Sequence, residues 1–591
     1  MKAFTFFVGL AAALVGLAQA GIPDAVHPDY SMTEIPFASK YKTMGISFLK
    51  DGRMALAVTD FISGEIPPKG TYNTKVLLVS GYDSKVSTDI KIEEIANNWY
   101  HLVGTTVAND KLYVSDRDGF YEIQQLSKPA DLAQNRKLIV KWPDENTWNT
   151  SPQWHQFVFT PFFYNGYFYA PYSGCVQPMG PSDANPTTKM AGAFLKWNLG
   201  GNLEAFAGGL RSPNGANVDT ATGDMFVADN QGAWLPSSTF ALMKAGKFYG
   251  HRQTPTTKNA SGVVTATHPP NWAEGLPYEP PTAWLPHGTV RASPSQPIVI
   301  PKGIYAGDWL MGDVNNPGLI RVALDKVGDT YNGAVFFFSK GTKTAAINRL
   351  AWGPDGALYL GTIATIAGNW PGGNNQGMFR LVPNMSSTAF EMRSVRSLAD
   401  GLELEFTLPV DPATVVKTAF TVKQWQYIRQ EEYGQGRQPD QALTVSDVEV
   451  SVDLLRVHIK ITGLIKDRTI NIKHTGITSN GKAPWNDETW FTQNAVSTRI
   501  WEASVGTREV VANANRSVGN VICRMAQGRL SISVETEGAW NAVLVSPQGS
   551  VLGHQSGNGL SNFQMDGDSH TGLHLLRVAM KNGVVIRKVM L

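Results

Sequence analysis

Asp229, Asn230 and Gln231 follow one another at the end of an alternating apolar run, with Arg211 and Asn214 one hairpin earlier. Such a cluster can hold hydroxyl groups or an anion, and the same residue types also suit a β-turn closed by Asx hydrogen bonds. His155, His251 and His287 each sit near an aromatic or Pro residue, and three imidazoles with Asp229 or Asp313 are a possible metal set. Their spacings of 96 and 36 residues match no ligand signature, so a metal site stays unknown. The Asp- and Asn-rich turn 313–316 suits calcium by ligand type, though without EF-hand spacing. Aromatic faces pack on sugar C–H groups as well as filling cores. Trp142 and Trp148, in a polar Pro-containing stretch, read as a substrate platform, with Trp154 and Trp370 as further stacking candidates. The Gly-rich segment 368–377 lacks a following Lys-Ser/Thr and is no phosphate cradle.

A repeated β unit must position these residues. An alternating strand, a tight turn and a second alternating strand recur at 46–60, 105–119, 157–172, 215–232, 304–318 and 350–362. Gly52, Asp110, Gly166, Gly223, Gly307 and Gly356 mark the turns, at intervals of 58, 56, 57, 84 and 49 residues. Turn residues of this kind between alternating strands signal hairpins. Six units near the length of a four-stranded blade predict an all-β fold led by a six-bladed propeller over 21–385; unrelated hairpins in two sandwiches are the alternative. The 84-residue interval carries a Pro-rich insertion, roughly 233–300, expected over one end of the ring.

Beyond Pro383 the spacing changes. Strands near 401–410, 418–428, 444–452, 455–464 and 469–477 predict an Ig-like β-sandwich over 386–498. A linker over 499–526 leads to a small β-domain over 527–591. Residues 1–20 combine Lys2, an apolar run and Ala18-Gln19-Ala20, the pattern of a cleaved signal peptide. The expected location is therefore secreted or at the cell surface, with no transmembrane segment. Lys+Arg 51 against Asp+Glu 49 gives a net charge of +2, so no field draws the chain to nucleic acid. Two cysteines, Cys175 and Cys523, exclude a disulfide scaffold and a four-thiolate zinc site.

Segments 208–232, 284–301 and 347–362 resemble the soluble glucose/sorbosone dehydrogenase family, and WHQFVF (154–159) is loosely similar to its His-containing stretch. The resemblance spans roughly 40–385. It implies a quinoprotein that binds pyrroloquinoline quinone (PQQ), with calcium possible, at the mouth of a six-bladed channel and oxidises an aldose or related sugar. By that resemblance His155 is the general base, Arg211 and Arg349 are cations facing the quinone, and Trp284 is a stacking wall. Asn214, Asp229, Asn230, Gln231, His287 and Asn315 complete the implied cofactor site. The chain departs from the family pattern at three places: Asp313-Val314-Asn315 stands where the family has a Lys, Ile347 replaces an Arg and Ser212 an Asn. The C-terminal residues resemble a type IX secretion sorting domain, which implies outer-membrane secretion machinery as a partner. The alternative function on the same scaffold is a polysaccharide lyase or hydrolase, or a non-catalytic glycan-binding propeller.

Overall fold

The computed structural model describes residues 25–36, 41–59, 74–143, 157–174, 190–252, 256–258, 264–267, 276–315, 318–340, 346–363, 377–384, 388–503, 520–526, 529–536, 538–545, 551–566, 573–580 and 583–590. The signal-like segment, His155, Trp148, Trp154 and Trp370 lie outside them.

Six four-stranded antiparallel units form the blades of a propeller. Blade 1 runs outward through Lys42–Phe48, Met54–Thr59, Thr74–Ser80 and Lys91–Asn97. Blade 2 uses Gly104–Ala108, Lys111–Ser115, Gly119–Glu122 and Lys137–Lys141, and blade 3 uses Phe162–Tyr164, Tyr167–Pro171, Phe194–Trp197 and Leu203–Ala207. Blade 4 contains Pro213–Val218, Met225–Asp229, Ser238–Leu242 and Ala283–Leu285. Blade 5 contains Pro294–Val299, Trp309–Asp313, Ile320–Val327 and Thr330–Phe337. Blade 6 takes Ala346–Trp352, Leu358–Ile363 and Gly377–Pro383, and its outer strand is Tyr30–Glu34 from the other end of the chain.

Each predicted hairpin carries the inner turn of one blade, five of them with both flanking strands; 304–318 holds only the second strand of blade 5, whose inner strand is Pro294–Val299. The marked turn residue adopts positive φ in all six cases, from +60° at Asp110 to +88° at Gly52, a conformation that Gly, Asn and Asp reach at least cost. The long interval in blade 4 separates its third and outer strands. The described part of that insertion climbs between blades 3 and 4, where Gly208 N–H donates to Lys247 and Tyr249 N–H donates to Gly208.

The strands expected after residue 400 are present and form two sheets over one apolar core. One sheet has the order Met392–Ser397, Gly401–Phe406, Arg456–Ile461, Val445–Val450. The other is not separate from the propeller. Glu488–Gln493 pairs with the outer strand of blade 5 (Ala334↔Phe491), giving one eight-stranded sheet. Ala323, Ala334 and Phe336 of blade 5 share a core with Met392, Leu404, Val457, Ile472 and Phe491. Two further sheets follow. Asn520–Ala526, Arg529–Glu535 and Ser561–Asp566 make one; Val551–Asn558, Ala539–Val545, Leu573–Met580 and Gly583–Met590 make the other.

A buried charged cluster ties the N-terminal segment, blade 5 and the sandwich. Glu391 accepts from Tyr305 Oη at 2.5 Å, Asn486 Nδ2 at 2.5 Å and Arg321 Nη2 at 3.3 Å, with His27 Nε2 at 3.3 Å. Arg321 also donates to Asp308 at 2.6 Å. Burial alone would raise the Glu391 carboxyl, but the guanidinium of Arg321 and the bonds from His27 and Tyr305 bring it below its ordinary value.

Candidate functional site at the upper mouth of the channel

The upper end of the ring is taken as the end where each blade's second strand finishes. Among the described residues three blades carry an Asp there, and each performs one task. Asp116 accepts backbone N–H groups of Tyr100, Asp118 and Gly119; Asp229 those of Arg211, Ser212 and Asn230; Asp313 those of Ala292, Ser293 and Asn315. Each carboxylate clamps the segment that enters its blade's inner strand, satisfying amides that the ladder leaves open. The Asx reading of Asp229 is therefore the one the structure supports. Both Asp313 oxygens likewise accept amide N–H groups. The sequence displays the pattern as Val-Ser-Asp, Val-Ala-Asp and Met-Gly-Asp at 114–116, 227–229 and 311–313, and as Val-Thr-Asp at 58–60, a signal that composition alone obscures.

Burial dominates the titration of Asp116 and Asp229. Asp116 is pushed up to about 7 by desolvation, with the neighbouring Asp118 charge adding to it, and Asp229 is pushed up to about 6 by desolvation against its amide bonds. A raised folded-state value means that the folded chain holds these protons more tightly than the unfolded chain. The contribution is full below the ordinary carboxyl range and is lost as pH rises through about 6 and then 7. The double variant Asp116→Asn/Asp229→Asn should consequently lose stability overall yet show a flatter slope between pH 5 and 7.5, by on the order of 2 kcal/mol. Parallel slopes in denaturant titrations of the two proteins would count against this account.

Bulges build the centre of the mouth. The inner strands slip register between Thr43 and Gly45, between Pro213 and Gly215 and between Ile347 and Arg349. Met44, Asn214 and Asn348 are the extra residues, and a bulged residue is left out of the ladder. One guanidinium collects their carbonyls. Arg349 Nε donates to Met44 O at 2.8 Å, and Nη1 lies 2.8 Å from Asn348 O and Oδ1 and 3.2 Å from Asn214 O and Oδ1. Nη2 donates to Val103 O at 3.2 Å, and the guanidinium lies 5.5 Å from the Phe159 ring centre. Arg349 is 0% exposed and touches blades 1 to 4 as well as its own. Burial lowers it to about 9, so it remains a cation at neutral pH. Glycine at 45 and 215 is required by this crowding: a Cβ there would lie 2.5 Å from Thr105 N and 2.6 Å from Gln296 Cα respectively.

The other expected site residues divide clearly. Arg211, Asn214, Asp229, Asn230, Gln231, Asn315 and Arg349 all lie at the upper end. Arg211 Nη1 donates to Gln231 O at 2.8 Å, Gln231 Nε2 to Pro236 O at 3.0 Å and Asn230 Nδ2 to Ser212 O at 2.5 Å. The last bond fixes the Asn230 amide so that Oδ1 is the free end. Oδ1 of Asn230 and Oδ1 of Asn315 are buried and find no hydrogen-bond donor among the described residues. His287 has an exposed ring whose basicity burial lowers, partly opposed by Asp313. His251 is buried, bonds through Nδ1 to Ala233 O at 3.0 Å and is held neutral by desolvation, at about 3. Two further residues absent from the sequence reading belong here: His101, in a left-handed conformation at φ +67°, and Arg117, stacked 4.7 Å from the Phe157 ring centre.

Two aromatic expectations are corrected. Trp142 is 3% exposed, donates from Nε1 to Asp116 O at 2.9 Å and packs edge-on to Trp197, so it fills the core between blades 2 and 3 and offers no platform. Trp284 is 8% exposed and lies against Tyr427 and Arg429 of the sandwich, closing a seam and facing no ligand space. No group of His, Cys, Asp and Glu among the described residues is arranged to hold a metal ion. No helix of the described residues is long and apolar enough to cross a membrane.

No protein-family model matches the chain, and no curated relative does. Among solved structures, a putative oxidoreductase (glucose dehydrogenase) from Thermus thermophilus is 16% identical, covering 60% of this chain and 100% of its own, with a TM-score of 0.42. The soluble aldose sugar dehydrogenase of Escherichia coli, in its apo-form, is 14% identical over 60% of this chain and 99% of its own, with a TM-score of 0.40. The extracellular domain of a putative one-component system from B. thetaiotaomicron is 10% identical over 95% of this chain and 98% of its own, with a TM-score of 0.20. The blade count rests on the strand order described above and owes nothing to these scores.

Proposed function

We propose that the protein is a carbohydrate-binding propeller that takes a sugar at its upper mouth without PQQ. The observation that carries this reading is the state of the polar groups there. The guanidinium meant for the quinone, Arg349, is fully buried and has at most one N–H left uncommitted, whereas a carboxylate needs an accessible fork of two. Asp313, in the stretch where the resemblance puts a Lys, presents a carboxylate capped by amides. These residues do not fit a tricarboxylate cofactor, and no step is derived through one. The side-chain oxygens of Asn230 and Asn315, on adjacent blades, are buried acceptors without a donor among the described residues. Hydroxyl hydrogens of a sugar satisfy such acceptors, and leaving them unmet in a buried site is costly.

The test is calorimetric titration of the full chain with glucose, galactose and xylose. Binding should be measurable, Asn230→Ala and Asn315→Leu should each weaken it about tenfold (~1.4 kcal/mol), and added PQQ should leave no retained chromophore. No sugar binding sinks the proposal. Stoichiometric PQQ uptake with aldose-dependent dye reduction would instead establish the second reading, a sugar dehydrogenase. That reading is supported by the placement of the family-like segments, which carry the inner strands of blades 4 to 6. Export through residues 1–20 and recognition of the C-terminal domain by outer-membrane secretion machinery belong to the same proposal; that domain, expected over 527–591 after a linker 499–526, takes in the strand Asn520–Ala526 as well.

A further inference from the structure

The sandwich loop between Phe420–Trp425 and Gln441–Leu443 lies on the upper end of blade 4. Trp234 N–H donates to Gln430 O at 2.9 Å, Gly434 N–H to Gly232 O at 3.2 Å, and Arg429 Nη1 to Trp234 O at 3.1 Å. Trp234 adopts φ +63°, a left-handed conformation that costs a bulky residue free energy and persists only where its surroundings impose it. Both its backbone polar groups are held across the seam, so the two loops form one preorganised surface.

Three guanidinium–aromatic pairs lie at this seam, Arg211 and Arg429 beneath their rings and Arg252 exposed. Arg211 lies 5.0 Å from the Tyr433 ring centre, Arg252 5.1 Å from Trp234 and Arg429 4.8 Å from Tyr278. Tyr278 and Tyr433 are 50% and 44% exposed. The loop adds the exposed carboxylates of Glu431 and Glu432. Exposed ring faces match the C–H faces of pyranoses, while the exposed guanidinium of Arg252 directs its N–H donors in plane, toward hydroxyls. The surface is also continuous with the mouth, since Arg211 bonds to Gln231 O beside Asn230.

We propose that Trp234, Tyr278 and Tyr433, with Arg211, Arg252 and Arg429, form a platform for a glycan chain of several sugar units leading into the mouth. The ligand is then an oligo- or polysaccharide and not a free monosaccharide. This deepens the proposed sugar binding and rests on it.

The experiment is calorimetry of the full chain with size-graded cello-, xylo- and laminari-oligosaccharides beside glucose and xylose. Wild type should gain at least about tenfold in affinity from monosaccharide to hexasaccharide in one series. Tyr278→Ala/Tyr433→Ala, which removes two exposed rings, should bring the hexasaccharide down to the monosaccharide value, with monosaccharide affinity and melting temperature unchanged. The single variants, measured in parallel, should fall between. Unaltered hexasaccharide affinity in the double variant, or affinity independent of chain length in every series, overturns the platform. If monosaccharides still bind in that case, the mouth assignment survives alone; if no sugar binds, both fail.

Discussion

Arg349→Met should lower the first thermal transition by on the order of 10 °C, corresponding to about 3–5 kcal/mol. The side chain lost is similar in length, so the effect is not one of volume. Three bulged residues turn carbonyl or amide oxygens onto a single guanidinium, and each oxygen left without a donor costs ~1–3 kcal/mol. Arg349→Lys should recover little, because a compact ammonium cannot span carbonyls contributed by Met44, Val103, Asn214 and Asn348. Differential scanning calorimetry on the three proteins decides it. A shift below about 2 °C for Met would show that the blades, not the guanidinium, hold the inner strands together.

Glu391→Gln should destabilise the seam between propeller and sandwich by about 3–5 kcal/mol. The amide keeps one acceptor but turns an N–H2 toward donors already aimed at an oxygen, and Arg321 loses one of its two buried counter-charges. Because the Glu391 carboxyl is held below its ordinary value, its contribution is present above the usual carboxylate range and is lost as pH falls through the depressed folded-state value. Wild type and variant should therefore differ at pH 6 to 8 and converge in strong acid. Equal denaturant midpoints at pH 7 would show that the cluster contributes nothing net.

The inner hairpins were legible because their turns need positive φ and the chain supplies Gly or Asp there. Tyr30–Glu34 was not, since its partner Gly377–Pro383 lies some three hundred and fifty residues on and strand pairing through backbone leaves little side-chain code. The pairing of Ala334 with Phe491 was hidden for the same reason. Trp142 misled because polar residues flank it, yet its indole finds Asp116 O within a core. Arg211, Asn214 and Arg349 lie at one end of the ring. What sequence could not reveal is which donors are already spent, as that depends on bulges which no local motif announces.

The outer strand of blade 6 comes from the start of the chain, and this sets an order of events during synthesis. Tyr30–Glu34 emerges first and must wait for Gly377–Pro383, so ring closure is the longest-range contact in the propeller and cannot precede translation of its last blade. Until then two unpaired edges stand open, one at each end of the nascent array. A truncation that removes the first 35 residues should for this reason yield an open array prone to edge-to-edge association, visible as oligomers by light scattering.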